Sequence, residues 1–338
     1  SRPWNKFSIN LKNPDGSRKL DYQGNWRDIF QNWEPLAQSY PAFIENMICK
    51  FLNATTGDGY NPYRLTYDGF EWELLEPDDP WGNIGYWGDH QIIYLQKLLE
   101  LSAQYHPGTL TDFLHKEMFV YANVPFRLRS YEDMLKDWYK TIDMDWELNK
   151  AIEERVEEIG TDGKLIADKD GKIVTVTMME KLFNLLLAKV VNLVPDGGIW
   201  MNTQRPEWND ANNALVGKGI SVVTTAYLYR YVKFLQELVE NADVPAFHLS
   251  APLAELLKEL MGHLTGFTPT IESGFDDKAR FAFMESMGTA GTTFRSAVYG
   301  GKLAGKKKEV FKGELGAFLK ALLPYLESTL LNNRREDG

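Results

Sequence analysis

Between positions 205 and 213 the chain reads Arg-Pro-Glu-Trp-Asn-Asp-Ala-Asn-Asn, which gathers two carboxylates, one indole and three amides within nine residues. Cleaving a glycosidic bond asks for such a set: an acid that protonates the leaving oxygen, a group that activates the incoming nucleophile, and groups that hold the sugar. The carboxylates are Glu207 and Asp210, with Arg205, Trp208 and Asn209 beside them as candidate substrate contacts. An acid in such a role works best with a raised pKa, and two carboxylates this close in sequence would supply a like-charge push. The same residue types also cap helices, because short Asp and Asn side chains accept hydrogen bonds from free backbone amides. Spacing alone leaves both readings open.

Other residues could complete such chemistry. Glu285, in RFAFMESMGTAGTTFR, is a late carboxylate beside a Gly-rich stretch, which reads equally as a helix-end carboxylate in solvent; Glu71 and Glu73 in DGFEWELLEPDD are its rivals for a catalytic role. Thr289, Thr292, Thr293 and Arg295 could form an oxyanion pocket if phosphate were the nucleophile. The chain has 10 Trp, 16 Tyr and 18 Phe, with many Trp next to Gly, Asn, Asp or Glu, an arrangement that suits loops lining a wet cleft. Trp72 and Trp87 are candidate sugar contacts of this kind. Cys49 lies in the apolar run FIENMICKFL and reads as a small buried hydrophobe. The stretch DKDGK at 168–172 lacks the later ligands of a calcium loop and reads as a turn, so neither metal nor organic cofactor is expected.

Helices must position these groups. Apolar residues recur at helical spacing over 28–36, 41–52, 109–118, 131–159, 177–193, 250–264, 277–286 and 312–331, and in helices that begin near Asp89 and Ser221. After Asp89 the stripe is Ile92, Leu95, Leu98, Leu99 and Ser102; in 131–159 it is Leu135, Trp138, Ile142, Ile152, Val156 and Ile159. The segment 53–88 is rich in turn residues and aromatics and reads as a cleft wall. Asp170-Gly171 between two β-leaning runs predicts a small β-hairpin insertion over 161–177. The expected fold is all-α, one domain over 1–338, with long aromatic loops joining about ten helices. Antiparallel hairpins without a repeat favour a toroid over a solenoid.

Two of these segments carry a family resemblance. PEWNDANNALVGKGISVVTTAYLYRYVKFL resembles the Asp-Trp-Asn-Asp-Gly-Met-Asn region of cellobiose phosphorylases and cyclic β-glucan phosphorylases, and NIGYWGDHQIIYLQKLLE is similar to the same group's Gly-Phe-Arg-Asp-Gln-Leu-Gln-Asp stretch. Those enzymes belong to the six-hairpin glycosidase superfamily, built on an α/α toroid. The resemblance covers about a quarter of the chain. It implies Asp210 as general acid, Trp208 bordering the sugar, Asp89 as a ligand for sugar hydroxyls, Glu285 as the candidate base in the place where some hydrolases of the superfamily keep theirs, and inversion at the anomeric carbon. Glu207 stands where the family has its first Asp, Ala211 where it has Gly, and Gly88 where it has Arg. The family's His-Gly phosphate-loop sequence is missing, so hydrolysis is expected ahead of phosphorolysis, with a non-catalytic glycan-binding protein on the same fold as the remaining alternative.

Charge narrows the partners. With 37 basic and 47 acidic residues the net charge is −10, a surface that repels phosphate backbones, so an oligosaccharide or polysaccharide is the expected partner and nucleic acid is not. The basic run Lys306–Lys308 reads as a solvated loop. No apolar run approaches the ~18 residues of a membrane span, and SRPWNKFSIN does not read as a secretory leader. A soluble protein of the cytoplasm or periplasm is the expectation.

Overall fold

The helical stripes become eleven α-helices among the described residues of the computed structural model, which are 12–18, 23–61, 64–72, 74, 86, 90–203 and 217–335. About 60% of them are helical. The first helices are α1 (Trp26–Ser39), α2 (Ile44–Asn53), α3 (His90–Tyr105), α4 (Thr109–Phe113), α5 (Tyr131–Lys136) and α6 (Trp146–Ile159). After them come α7 (Met178–Val190), α8 (Val222–Glu240), α9 (Ala251–Ser273), α10 (Asp277–Tyr299) and α11 (Lys312–Asn332). Side-chain caps start several of them: Ser130 accepts from the Asp133 amide, Asp145 from Leu148, Thr177 from Glu180, Ser221 from Thr224 and Asp276 from Ala279.

Neighbouring helices pack in the order α2, α3, α8, α11, α9, α10, α5, with α1 also on α3. Helix α7 lies inside this arrangement, touches α3, α8 and α9, and is buried along its whole length. The stripe predicted for α3 is fully buried, Ile92, Leu95, Leu98, Leu99 and Ser102 included. Burial of each such side chain stabilises the fold by about 1.5–3 kcal/mol relative to exposure.

Short antiparallel strands clip the helix ends together. They are β1 (Gln23–Asn25), β2 (Arg64–Thr66), β3 (Phe70–Glu71), β4 (Glu117–Phe119), β5 (Phe126–Leu128), β6 (Ile142–Met144), β7 (Val176–Thr177), β8 (Leu193–Val194), β9 (Gly198–Trp200), β10 (Ile220–Ser221), β11 (Ala246–Ser250) and β12 (Lys307–Phe311). They pair as β1-β2-β3, β10-β9-β8, β11-β12, β4-β7 and β5-β6.

The strands account for most departures from expectation. The helix expected over 109–118 ends at Phe113, because Glu117–Phe119 pairs with Val176–Thr177. The segment 131–159, expected as an amphipathic helix or a pair of them, is a pair, since Ile142–Met144 pairs with Phe126–Leu128 and Asp145 then caps a new start. Its predicted buried face is divided accordingly: Ile142 and Ile152 are buried, whereas Leu135, Trp138 and Ile159 are 46%, 42% and 49% exposed. Lys307 and Lys308 belong to β12 and pair with Glu117 and Glu255 at 2.7 Å each, so the basic run is a strand. The hairpin region begins with a 3-10 turn, Gly160–Lys164, followed by one bridged pair, Ala167 opposite Ile173, around Gly171 at φ +81°.

Candidate functional site

Loop Thr55–Asn61 carries the most completely held buried carboxylate near an opening. Asp58 is 3% exposed, and its Oδ1 accepts from Thr56 Oγ1 at 2.5 Å while its Oδ2 accepts from the Tyr299 hydroxyl at 2.7 Å. The Tyr299 oxygen also accepts from the Leu128 amide at 3.0 Å. Burial, and then the Asp58 charge, push the Tyr299 phenol well above its ordinary pKa, which keeps it protonated as a donor.

The loop is held from beneath by one face of α7. Lys181 Nζ donates to the Thr55 carbonyl at 3.3 Å and to that of Val120 at 2.7 Å; Asn184 Nδ2 donates to the Gly57 carbonyl at 3.0 Å. Asn192 Nδ2 reaches the Tyr60 hydroxyl at 3.4 Å, just past the helix. Gly59, at φ +87°, lies so close that a Cβ would stand 2.6 Å from Ala188 Cβ, which only glycine avoids. Positions 181, 184, 188 and 192 share the i, i+3, i+4 spacing of one helix face.

Asp58 opens onto a cavity of about 370 Å³, near the lower end of the ~300–1,000 Å³ range of small-ligand sites. Its walls include Tyr86, Asn123, Arg127, Arg155, Tyr299 and, from the bridged turn, Asp168. Tyr86 stacks on Tyr60 with ring centroids 5.2 Å apart, and the Arg127 guanidinium lies 4.6 Å from the Tyr299 ring centroid.

A polar stripe on α10 runs from this cavity to the surface: Tyr299, Arg295, Thr292, Gly288 and Glu285, at intervals of four and three residues. The segment read as a Gly-rich stretch is thus helix interior, because Gly288 receives the Tyr131 ring and Gly291 receives Val191. Arg295 is 4% exposed and donates through Nη2 to the Arg129 carbonyl at 3.3 Å and Thr292 Oγ1 at 3.2 Å. Its Nε has no acceptor, and no carboxylate lies within 4.0 Å, among the described residues. Thr292 and Arg295 therefore meet, while Thr289 and Thr293 are exposed and do not join them in hydrogen bonding.

Glu285 is exposed near the outer end of the stripe, fourteen residues and thus about 21 Å along the axis from Tyr299. Its charge and burial push the neighbouring Tyr131 phenol up to about 12, burial being the larger cause. Tyr131 packs edge-on against Trp200 at 6.1 Å, and the Trp200 indole N–H donates to the Gly217 carbonyl at 3.0 Å.

Gly217 is where the described chain resumes after residues 204–216, which include Asp210. Just before them Asn202 Oδ1 accepts from the Tyr60 hydroxyl at 3.2 Å. The described residues that flank 204–216 are thereby tied to the Asp58 loop and the Glu285 stripe. Arg205, Glu207, Trp208, Asn209 and Asp210 lie outside the described residues, as do Trp87, Asp89 and Glu73.

Trp72 is half-buried, donates its indole N–H to Asn149 Oδ1 at 3.1 Å and has Lys164 Nζ 5.7 Å from its ring; it does not line the cavity. Glu71 lies 4.0 Å from Lys164 Nζ. Cys49 is half-buried, and burial followed by the Glu45 charge push its thiol up, away from nucleophilic behaviour. Asp58 and Tyr299 were not singled out by residue type. Their signals are Asp58 set between Gly57 and Gly59 after Thr56, inside the aromatic segment 53–88, and the continuation of the Glu285 spacing to position 299.

Among the described residues no three His, Cys, Asp or Glu side chains gather as a metal site, and no helix is long and apolar enough to cross a membrane. No protein-family model matches the chain, and no curated protein matches it.

Proposed function

We propose that the protein cleaves a glycosidic bond with inversion, as a hydrolase on an α/α toroid of helical hairpins, with Asp210 as general acid. One observation carries most weight: Asp58 is fixed between two hydroxyl donors at a cavity wall, and Tyr60, two residues further on, is bonded to Asn202, eight residues before Asp210 in sequence. A rigid carboxylate with tyrosine rings beside it suits a sugar, whose hydroxyls donate to the carboxylate and whose C–H face meets the rings.

In this reading Asp58, Tyr86 and Arg127 hold a sugar unit away from the scissile bond, and Trp208 borders the unit that is cleaved. Glu285 is the proposed base, reached through Tyr131 and Trp200 from Gly217, where the described chain resumes after Asp210. An inverting hydrolase needs about 6.5–9.5 Å between its two carboxyl groups. Glu285 and Asp58, set apart by most of α10, cannot both flank one anomeric carbon, so Asp58 is assigned to binding.

The test is a screen of α- and β-linked oligosaccharides with product anomers followed by NMR. Inverted products without added phosphate are expected from the wild type, and none from Asp210→Asn. Wild-type turnover in that variant, or retention at the anomeric carbon, overturns the assignment. Arg295, buried with no carboxylate within 4.0 Å among the described residues and bonded to Thr292, favours phosphorolysis as a second reading. Strict dependence of cleavage on phosphate, lost in Arg295→Met, would decide for it.

A further inference from the structure

The cavity beside Asp58 offers more hydrogen-bond donors than its own acceptors use. Both carboxylates in its wall are already supplied. Asp58 has Thr56 and Tyr299, and Asp168 Oδ1 accepts from the amides of Asp170 at 2.9 Å and Lys172 at 3.0 Å.

The cations are less well served. Arg127 spends Nη1 on the Phe126 carbonyl at 3.3 Å and has Asp145 at 3.4 Å from Nη2. Arg155 donates through Nη1 to the Leu165 carbonyl at 3.0 Å, which fixes its plane, but its buried Nη2 has no acceptor among the described residues. Lys169 lines the cavity and makes no hydrogen bond or ion pair among those residues. A buried N–H without an acceptor costs about 1–3 kcal/mol, a penalty that a ligand oxygen would remove.

We propose that this cavity binds an acidic sugar of the uronate class, its carboxylate on Arg155 with Lys169 and Arg127 adding positive potential. The proposal rests on the glycan reading above and names the substrate class for it. Asp58 decides between oxyanions: it would repel a dianionic phosphate in the same space, whereas a uronate ring offers it neutral hydroxyl donors while the ring's single carboxylate goes to the cationic wall. The turn Asp168–Lys172, which the catalytic proposal leaves unused, thereby becomes the wall that selects substrate.

Equilibrium titration of the full chain with glucuronic acid, glucose and inorganic phosphate tests this, since monosaccharides present no bond to cleave. Glucuronate is expected to bind roughly tenfold or more tightly than glucose, as a charge-assisted bond requires. The preference should vanish in Arg155→Met, persist in part in Arg155→Lys, and weaken with added salt, with thermal melts confirming that both variants fold. Equal binding of glucose and glucuronate, unaffected by Arg155→Met, overturns the acidic-sugar proposal and leaves the glycan reading standing. Binding of phosphate alone overturns both.

Discussion

At the scale of single residues, the Tyr299 hydroxyl has two tasks, donating to Asp58 and accepting from the Leu128 amide. Tyr299→Phe removes both at once and leaves a backbone N–H and a buried carboxylate oxygen short of a partner. The expected cost is about 1–3 kcal/mol in urea unfolding, with weakened saccharide binding. An unchanged unfolding midpoint would mean that neither bond is important to the fold. Glu45 gives a pH-dependent counterpart. Burial opposes its charge, but hydrogen bonds from Ser102 and His106 outweigh burial, so its pKa lies below the ordinary carboxylate value. A depressed carboxylate contributes stability that is present above its unfolded pKa, near ~4.3, and is lost as pH falls through the lower folded value. Wild type should therefore exceed Glu45→Gln in stability at pH 6, and the gap should close as the pH is taken down to 3. A gap that widened instead would reverse the assignment.

At the scale of elements, two glycines inside helices are expected to respond oppositely to one substitution. In exposed helix interiors Gly→Ala stabilises by up to ~1 kcal/mol. Gly262 in α9 meets this condition, with nothing within 4 Å of an added Cβ, so Gly262→Ala should raise the unfolding midpoint. Gly288 in α10 does not, because the added carbon would enter the Tyr131 ring, and overpacking of this kind costs about 1–3 kcal/mol. Paired urea melts should show opposite signs; equal signs would show that Tyr131 moves aside without cost.

Gly288 also explains why the sequence predicts a short α10. Its apolar spacing is legible to Ser286, but GTAG looks like a break unless the aromatic that fills Gly288 is known, and Tyr131 is 157 residues away in sequence. Helix α3 was legible entirely, since its stripe and its stop at His106-Pro107-Gly108 are local. In the 131–159 segment the strand between the two helices has no local signal, because strand pairing is a non-local choice: Ile142 satisfies a helical stripe and a buried strand equally well. Of the candidate site, Thr56, Gly57, Asp58 and Tyr86, which line the cavity, fall in the segment 53–88 that the sequence marks by its turn residues and aromatics. The pairing of Asp58 with Tyr299 joins positions 241 residues apart, and no spacing rule reports it.

At the scale of the whole molecule, α7 determines how the parts depend on one another. It is buried along its length yet carries Glu180, Lys181, Asn184 and Lys189, an arrangement stable only if each polar group is met from a surrounding element. Glu180 accepts from the Ser250 amide at 2.9 Å and lies 3.3 Å from the Tyr121 hydroxyl; burial nevertheless pushes its carboxyl pKa up. Burial pulls Lys181 well below its usual range even as it ties Thr55 and Val120 together. Strands, the Asp58 loop and three helices thus converge on one helix and cannot separate from it singly without stranding a buried polar group. Native-state hydrogen exchange should then show α7 amides opening only with global unfolding, at the full stability of about 5–15 kcal/mol expected for a domain of this kind. Amides of α1, which touches α3 on one side, should exchange through smaller openings. Lys181→Met should lower the opening free energy of α7 and of the Thr55–Asn61 loop by equal amounts, because the lysine is shared by both. If the loop alone loosened while α7 kept its protection, the helix would be a passive core element and the cavity's rigidity would have to come from Tyr299 instead.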